Sequence, residues 1–376
     1  GATATNSGGA CSSSIAAAAG MSAPIGIGAF SDNVHHFVHC ALADSTRRSY
    51  GAALARYQEY CSSHSLSPYP ADLTAATAAG WLAELGAASS LSSATIRTYS
   101  SALSTWFVEG TLSDALNPME SVAVQRVLKG ITRDHHAAEA EARAARPTSI
   151  EATPSLLASL EVFARPAGCG PPEFMRWAAA NTATYALLRP SELLGSAQHR
   201  DRALRAEQIA FFMGVDSSIP CKLLPPGSHV DDHCFPDRFT IALGATKADQ
   251  LGNNAPVPVA AAPAVRALWR WMHIRRDLGP AASDPLFCIP SCAPLSCAEL
   301  TAKMESWLTQ FGVIAPVVKG RTFRRGGASG LMAAGAARGD VAKAGRWRTQ
   351  AMAERYASAA SMQARAVEVS RGMAPR

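Results

Sequence analysis

A chain of 376 residues with 48% hydrophobic and 17% charged composition is long enough for two domains and too apolar for a disordered coil. Its formal net charge of +6 is modest, and no apolar run reaches the roughly 18–20 residues that a membrane span requires. These quantities exclude a bundle of membrane helices and a low-complexity chain. They leave a globular protein with at least one packed core.

In chain order, the first 28 residues carry no charge, are rich in Ala, Gly and Ser, and lack the basic start of a secretory signal. Residues 1–30 therefore read as a flexible tail, and the absence of a starting Met reads as processing or trimming. Residues 31–133 read as four helices. Asp44-Ser45-Thr46 offers caps for a first, on which Tyr50, Leu54, Tyr57 and Cys61 recur at three- and four-residue steps. Pro68 and Pro70 break the chain, and Asp72-Leu73-Thr74 opens a second helix with Trp81, Leu82 and Leu85 on its apolar face. Ser92 or Ser93 caps a third, aligning Ile96, Tyr99, Leu103 and Phe107, with Gly110 able to end it. Asn117-Pro118 has the cap and first-turn pattern of a fourth. Residues 134–152, polar and Ala-rich, read as a linker in which His135 and His136 are solvated.

The second domain, 153–360, opens with the helix SLLASLEVFA, followed by two more with a break at Pro190. Pro190 suits a helix's first turn, so Arg189 stands just before one, a favourable place to meet an anion. Glu192 is expected to orient or neutralise a neighbour. Short strand candidates follow in QIAFFMGV, RFTIALGATKA and APVPVA, with turn chemistry at Asp249, Gln250, Gly252 and Asn253. Lys247 then lies on or near a β-hairpin. AVRALWRWMHIRRDLG is an amphipathic helix with Trp269 and Trp271 in the core or at an interface, and ELTAKMESWLTQFGV is another. Cys288, Cys292 and Cys297 lie in a Pro/Cys-rich loop with no nearby His, so no metal is expected there. The nine cysteines, odd in number and without C-x-x-C, read as reduced thiols of a cytosolic or nuclear compartment.

Charge is concentrated at the end. Residues 300–376 hold 13 Lys and Arg against 4 Asp and Glu, a net of +9 that exceeds the whole chain's surplus. Phosphate-backbone binding calls for such a concentration. Within it, the stretch from Arg321 to Tyr356 crowds arginines at both ends of an Ala/Gly segment. Planar guanidiniums can give paired hydrogen bonds to two phosphate oxygens, and a phenol beside them can serve as a nucleophile. Tyr356 is the only one of the seven tyrosines in the second half of the chain.

This block resembles the C-terminal motif of the tyrosine recombinases (the phage integrase family). Arg321-Thr322-Phe323-Arg324 occupies the H-x-x-R position, with Arg321 replacing the usual His; Trp347 follows Arg324 by 23 residues, and Tyr356 follows Trp347 by nine. Leu188-Arg189-Pro190-Ser191-Glu192-Leu193 resembles the family's first arginine motif, and the segment around Lys247 resembles its lysine hairpin. The phrases FRRGGA and GRW are similar to recombinases of eukaryotic mobile elements such as Crypton- and DIRS-type transposons.

The resemblance implies a mainly α fold with a small antiparallel β-sheet. An N-terminal helical core-binding (SAM-like) domain would precede a C-terminal α+β catalytic domain. It implies Tyr356 as nucleophile, Arg189 and Arg324 as phosphate clamp, Lys247 as general acid and Trp347 as a phosphate contact. No cofactor or metal is called for. Thr95, Arg97, Lys129, Arg325 and Arg346 are implied as further DNA contacts. The partner is double-stranded DNA, with a dimer on one site and a tetramer in synapsis, joined through the tail at 361–376. Location would be nuclear in a eukaryote and otherwise cytoplasmic. A type IB topoisomerase, or a DNA-binding relic without activity, remains open on the same residues.

Overall fold

A computed structural model describes residues 41–42, 44–88, 90–111, 116–145, 149–165, 168–195, 202–214, 218–225, 235–244, 255–289, 294–347 and 349–352. The chain divides into two compact units, 1–146 and 147–376. Among the described residues, no helix is long and apolar enough to cross a membrane.

The first unit is helical. α1 (Asp44–Ser63) buries Tyr57 and Cys61, one turn apart, and α2 (Ala75–Ala87) buries Trp81 and Leu82. α3 (Ser93–Thr111) adds Ile96, Leu103 and Phe107. Tyr57 meets Trp81 and Trp106 edge-on, at centroid distances of 5.3 and 5.8 Å, a preferred aromatic geometry. Thr74 caps α2 by accepting the Thr77 N–H at 3.1 Å, and Ser92 accepts the Thr95 N–H at 3.2 Å.

Three expectations shift here. Asn117 caps only a 3-10 turn over Pro118–Glu120; Ser121 caps the following helix, α4 (Val122–Asp134). Gly110 lies inside α3, where an added Cβ would come within 2.4 Å of the Pro70 ring. The stretch expected as a linker carries a helix, α5 (His136–Ala145). Its Glu139 accepts the Ser93 N–H at 2.6 Å and hydroxyl at 3.1 Å, so a carboxylate sits at the positive end of α3. His135 is correspondingly in contact with the Gly86 carbonyl at 3.0 Å.

The second unit is built around one helix. α6 (Pro154–Ala164) packs beside α7 (Pro171–Tyr185), which is buried from Phe174 to Thr184 almost without interruption. A four-stranded antiparallel sheet has the order β2 (Pro220–Cys221), β1 (Ile209–Phe212), β3 (Arg238–Ile241), β4 (Val257–Val259). Register places Phe211 opposite Phe239, Ile209 opposite Ile241, and Phe239 opposite Val259, which gathers the apolar side chains on one face. That face meets a long helix, preceding the last third of the unit, at Phe211 and Trp269, 4.8 Å apart. This helix is α9 (Ala262–Leu278); the one-turn helix α8 (Pro190–Leu193) comes earlier. Trp269 and Trp271 are core residues, the latter donating to the Leu286 carbonyl at 2.9 Å. Buried Arg275 donates to the carbonyls of Pro280, Ala281, Asp284 and Pro285, tying down the loop after α9.

α10 (Cys297–Gln310) opens with a capping box between Ser296 and Glu299. α11 (Thr322–Ala333) and α12 (Arg338–Ala344) complete the unit. α11 crosses α7 at very short range because of Gly327, and Gly326 lets it lie equally close to the segment that enters α6. A Cβ at Gly327 would stand 2.0 Å from the Thr184 carbonyl oxygen, and one at Gly326 2.1 Å from the Ala152 backbone. Both obstacles are main chain and cannot swing aside. Gly327→Ala is therefore expected to lower stability by about 1–3 kcal/mol, the usual range for overpacking, read as a reduced midpoint in thermal unfolding.

Candidate active site

The site forms where α7 ends. Leu187 takes a left-handed conformation (φ 49°), and Arg189 is extended (φ −73°, ψ 143°) as the residue capping α8. Pro190 fixes the first turn of α8. Glu192, at the third position of that turn, folds back to accept the Arg189 backbone N–H at 2.9 Å and its guanidinium as well. The Leu-Arg-Pro-Ser-Glu sequence thus makes its own carboxylate brace.

Two more guanidiniums reach the same carboxylate from distant segments. Arg324, on the first turn of α11, lies 3.4 Å from Glu192 Oε2, and Arg346, just beyond α12, lies 3.1 Å from it. Arg324 also donates to the Gly345 carbonyl and lies 5.0 Å over the Trp347 ring. Trp347 is buried with Leu187, Ala328, Val341 and Ala342, so its ring both packs and faces a cation. Arg346 donates to the Ala186 and Leu187 carbonyls at 3.4 and 3.2 Å.

Burial disfavours the Glu192 carboxylate, yet the Arg189 N–H and the fields of Arg324, Arg346 and Arg189 outweigh it and hold its pKa below the usual range. Burial lowers the Arg346 pKa against the pull of Glu192, with Arg189 adding to the decrease. Glu192 is therefore ionised at neutral pH, and three cations against one anion leave the cluster positive. Arg189 is its most exposed guanidinium, at 31%, against 4% for Arg324 and 16% for Arg346.

The structure thus brings together Arg189, Arg324, Trp347 and Arg346. Arg321 caps α11 on the exposed surface, one turn before Arg324. Arg325, expected as a DNA contact, donates at 2.7 Å to the buried Glu151, which also accepts the Ser329 hydroxyl. Arg346, expected likewise, is turned onto Glu192. A buried carboxylate needs a partner, and each of these arginines supplies one. Lys247 and Tyr356 lie outside the described residues; Lys247 falls in the connection between the antiparallel strands β3 and β4. His273 is not at hand as a proton shuttle: buried, with its pKa lowered by that burial, it contacts the Trp269 carbonyl through Nδ1 and accepts the Leu224 N–H at Nε2.

In the first unit, Thr95 is engaged with Ser92 and Arg97 donates to Thr132 at 3.0 Å. Lys129 stands one turn before Thr132, and Arg126, Lys129 and Arg133 are exposed at three- and four-residue steps along α4. Lys129 was expected as a DNA contact, and helical spacing alone could have added Arg126 and Arg133 beside it. The sequence reading passed over Glu151, which carries no motif.

No protein-family model matches the chain, and no curated protein matches it. Among solved structures, the XerH site-specific recombinase bound to palindromic difH substrate in a post-cleavage complex aligns at a TM-score of 0.53 and 16% identity. That alignment covers 85% of this chain and 78% of that one. The fold is that of the tyrosine recombinases. The XerH pre-cleavage complex with difH aligns similarly, at a TM-score of 0.52 and 16% identity, over 82% of this chain and 74% of the other. In this recombinase fold the small antiparallel sheet and the surrounding helices form the second unit.

The sign of the Glu192 shift fixes a pH dependence. Its carboxylate contributes stability that is present above the unfolded pKa, about 4.3, and is lost as pH falls through its lower folded value. Glu192→Gln is expected to remove that contribution and leave three buried or half-buried cations without their anion. A loss of about 3–5 kcal/mol at pH 7, shrinking towards acid, is expected in denaturant titrations compared across pH.

Proposed function

We propose that this protein is a site-specific DNA recombinase that cuts and rejoins strands through a covalent 3′-phosphotyrosine. The observation that carries the reading is the convergence of Arg189 and Arg324, 135 positions apart in the sequence, on one carboxylate beside Trp347. The fold shared with a recombinase solved on its cleavage substrate supports it. Arg189 and Arg324 clamp the non-bridging oxygens of a DNA phosphodiester, where charge accumulates in the transition state. The Tyr356 oxygen attacks phosphorus, forming the phosphotyrosyl bond as the bond to the 5′ oxygen breaks. Lys247 gives the leaving 5′ oxygen its proton, and the phenolic proton passes to water.

Arg321 stays protonated and can donate to phosphate but cannot accept that proton. Trp347 has a single indole N–H to offer and otherwise holds Arg324 in place. Thr95, Arg97 and Lys129 contact backbone phosphates from the first unit, together with Arg126 and Arg133. Assembly into a dimer on one site and a tetramer in synapsis proceeds through residues 361–376.

The test is a pool of nicked duplexes randomised around the nick, incubated with the full chain and screened for protein covalently joined to DNA. Adducts are expected with the native chain and none with Tyr356→Phe; no adduct from any duplex, or an adduct from Tyr356→Phe, rejects the reading. Arg324→Lys is expected to lower the adduct rate by on the order of 100-fold or more, because an ammonium cannot reproduce the fork. Removing Arg97 or Lys129 is expected to weaken binding on all sequences alike and to reduce the salt slope of log affinity by about 0.9 each.

A further inference from the structure

We propose that Arg346 is a positioning residue of the clamp: its guanidinium braces Glu192 against the end of α7, so that Arg189 and Arg324 are held without being neutralised. This rests on the reading of Arg189 and Arg324 as a phosphate clamp. Three observations lead to it.

Arg346 has a left-handed backbone (φ 53°), a region that glycine enters readily and a long side chain does not. The conformation is held by bonds from the Arg346 and Trp347 amides to the carbonyls of Lys343 and Ala342, both at 2.9 Å. It sends the side chain across the site instead of outward.

The guanidinium then ties the end of α7 to the first turn of α8, a stretch far from Arg346 in the sequence. Its terminal nitrogens serve the carbonyls of Ala186 and Leu187, which the end of α7 leaves over, and the Glu192 carboxylate. With three acceptors in place and 16% exposure, this fork is committed to the protein.

Charge supplies the third observation. The charged groups facing Glu192 among the described residues are Arg189 from its own turn, Arg324 from α11 and Arg346 from beyond α12. With only the first two, one of two clamp charges would be cancelled by Glu192. Arg346 restores a surplus of two cations, which suits a phosphate whose charge grows during transfer.

The test uses Arg346→Gly, whose glycine fits the left-handed backbone, with Arg346→Lys, Glu192→Gln and the Glu192→Gln/Arg346→Gly pair, all in the full chain. Without DNA, the acid-unfolding midpoint of Arg346→Gly is expected to rise by roughly one pH unit, because Glu192 loses a cation that keeps it ionised. Arg346→Lys keeps the charge and is expected to restore most of that midpoint.

On a nicked duplex recovered from the randomised pool, Arg346→Gly is expected to slow adduct formation roughly 10- to 100-fold at unchanged half-saturating DNA, with its acid limb displaced to higher pH. Arg346→Lys is expected to recover part of the rate, and the Gly change to do little in the Glu192→Gln background. An unmoved acid midpoint overturns the proposal. So does weakened DNA half-saturation with the rate preserved, or an equal loss in the Glu192→Gln background. If the native chain joins to no duplex, the recombinase reading falls, and the acid midpoint alone then supports or overturns the bracing role of Arg346.

Discussion

A single carboxylate organises the site. Glu192, with its side chain 6% exposed, could not stay ionised in such surroundings alone, and Arg324 and Arg346 could not be buried as cations without it. Each makes the other tolerable. Because the cations arrive from α11 and from beyond α12, while the carboxylate belongs to α8, their mutual attraction also fixes where three segments meet. The surplus positive charge is then an outcome of folding, directed to a place where an anion can approach.

That arrangement depends on how closely α11 lies on α7. Contact between backbones sets the depth at which Arg324 enters, and only residues lacking a Cβ allow it. Glu151 works at the other side of the same helix: it holds Arg325 and Ser329, on successive turns of α11. Two buried carboxylates therefore clasp α11 from different directions, one through Arg324 and one through Arg325. Adjacent arginines in the sequence end in different roles because consecutive side chains on a helix diverge by about 100°.

Within the first unit a similar economy operates. Glu139 of α5 closes the amino end of α3, so a stretch that reads as an Ala-rich spacer becomes part of a helical unit. On α4 the basic residues stay exposed while Val124 and Leu128 go inward. One helix thus serves the core and offers a charged face.

Local sequence determined much of this protein. Periodicity gave the helices, alternation gave β3, short apolar runs marked β1 and β4 as strand candidates, and capping residues placed several boundaries within a residue or two. Pro190 put Arg189 at a helix start, because such preferences act within a few residues; the motif of Arg324, Trp347 and Tyr356 was marked by its resemblance to the tyrosine recombinases. The local cap Ser121 sets the start of α4, and the two-residue strand β2 is defined only by its pairing with β1. The helix within 136–145 was not legible, since its Glu139 answers Ser93, which lies far back along the chain. The same holds for the fates of Arg325 and Arg346. Whether an arginine faces solvent or a buried carboxylate is decided by which distant acid the fold brings beside it, and only the tertiary structure places Glu151 and Glu192 there.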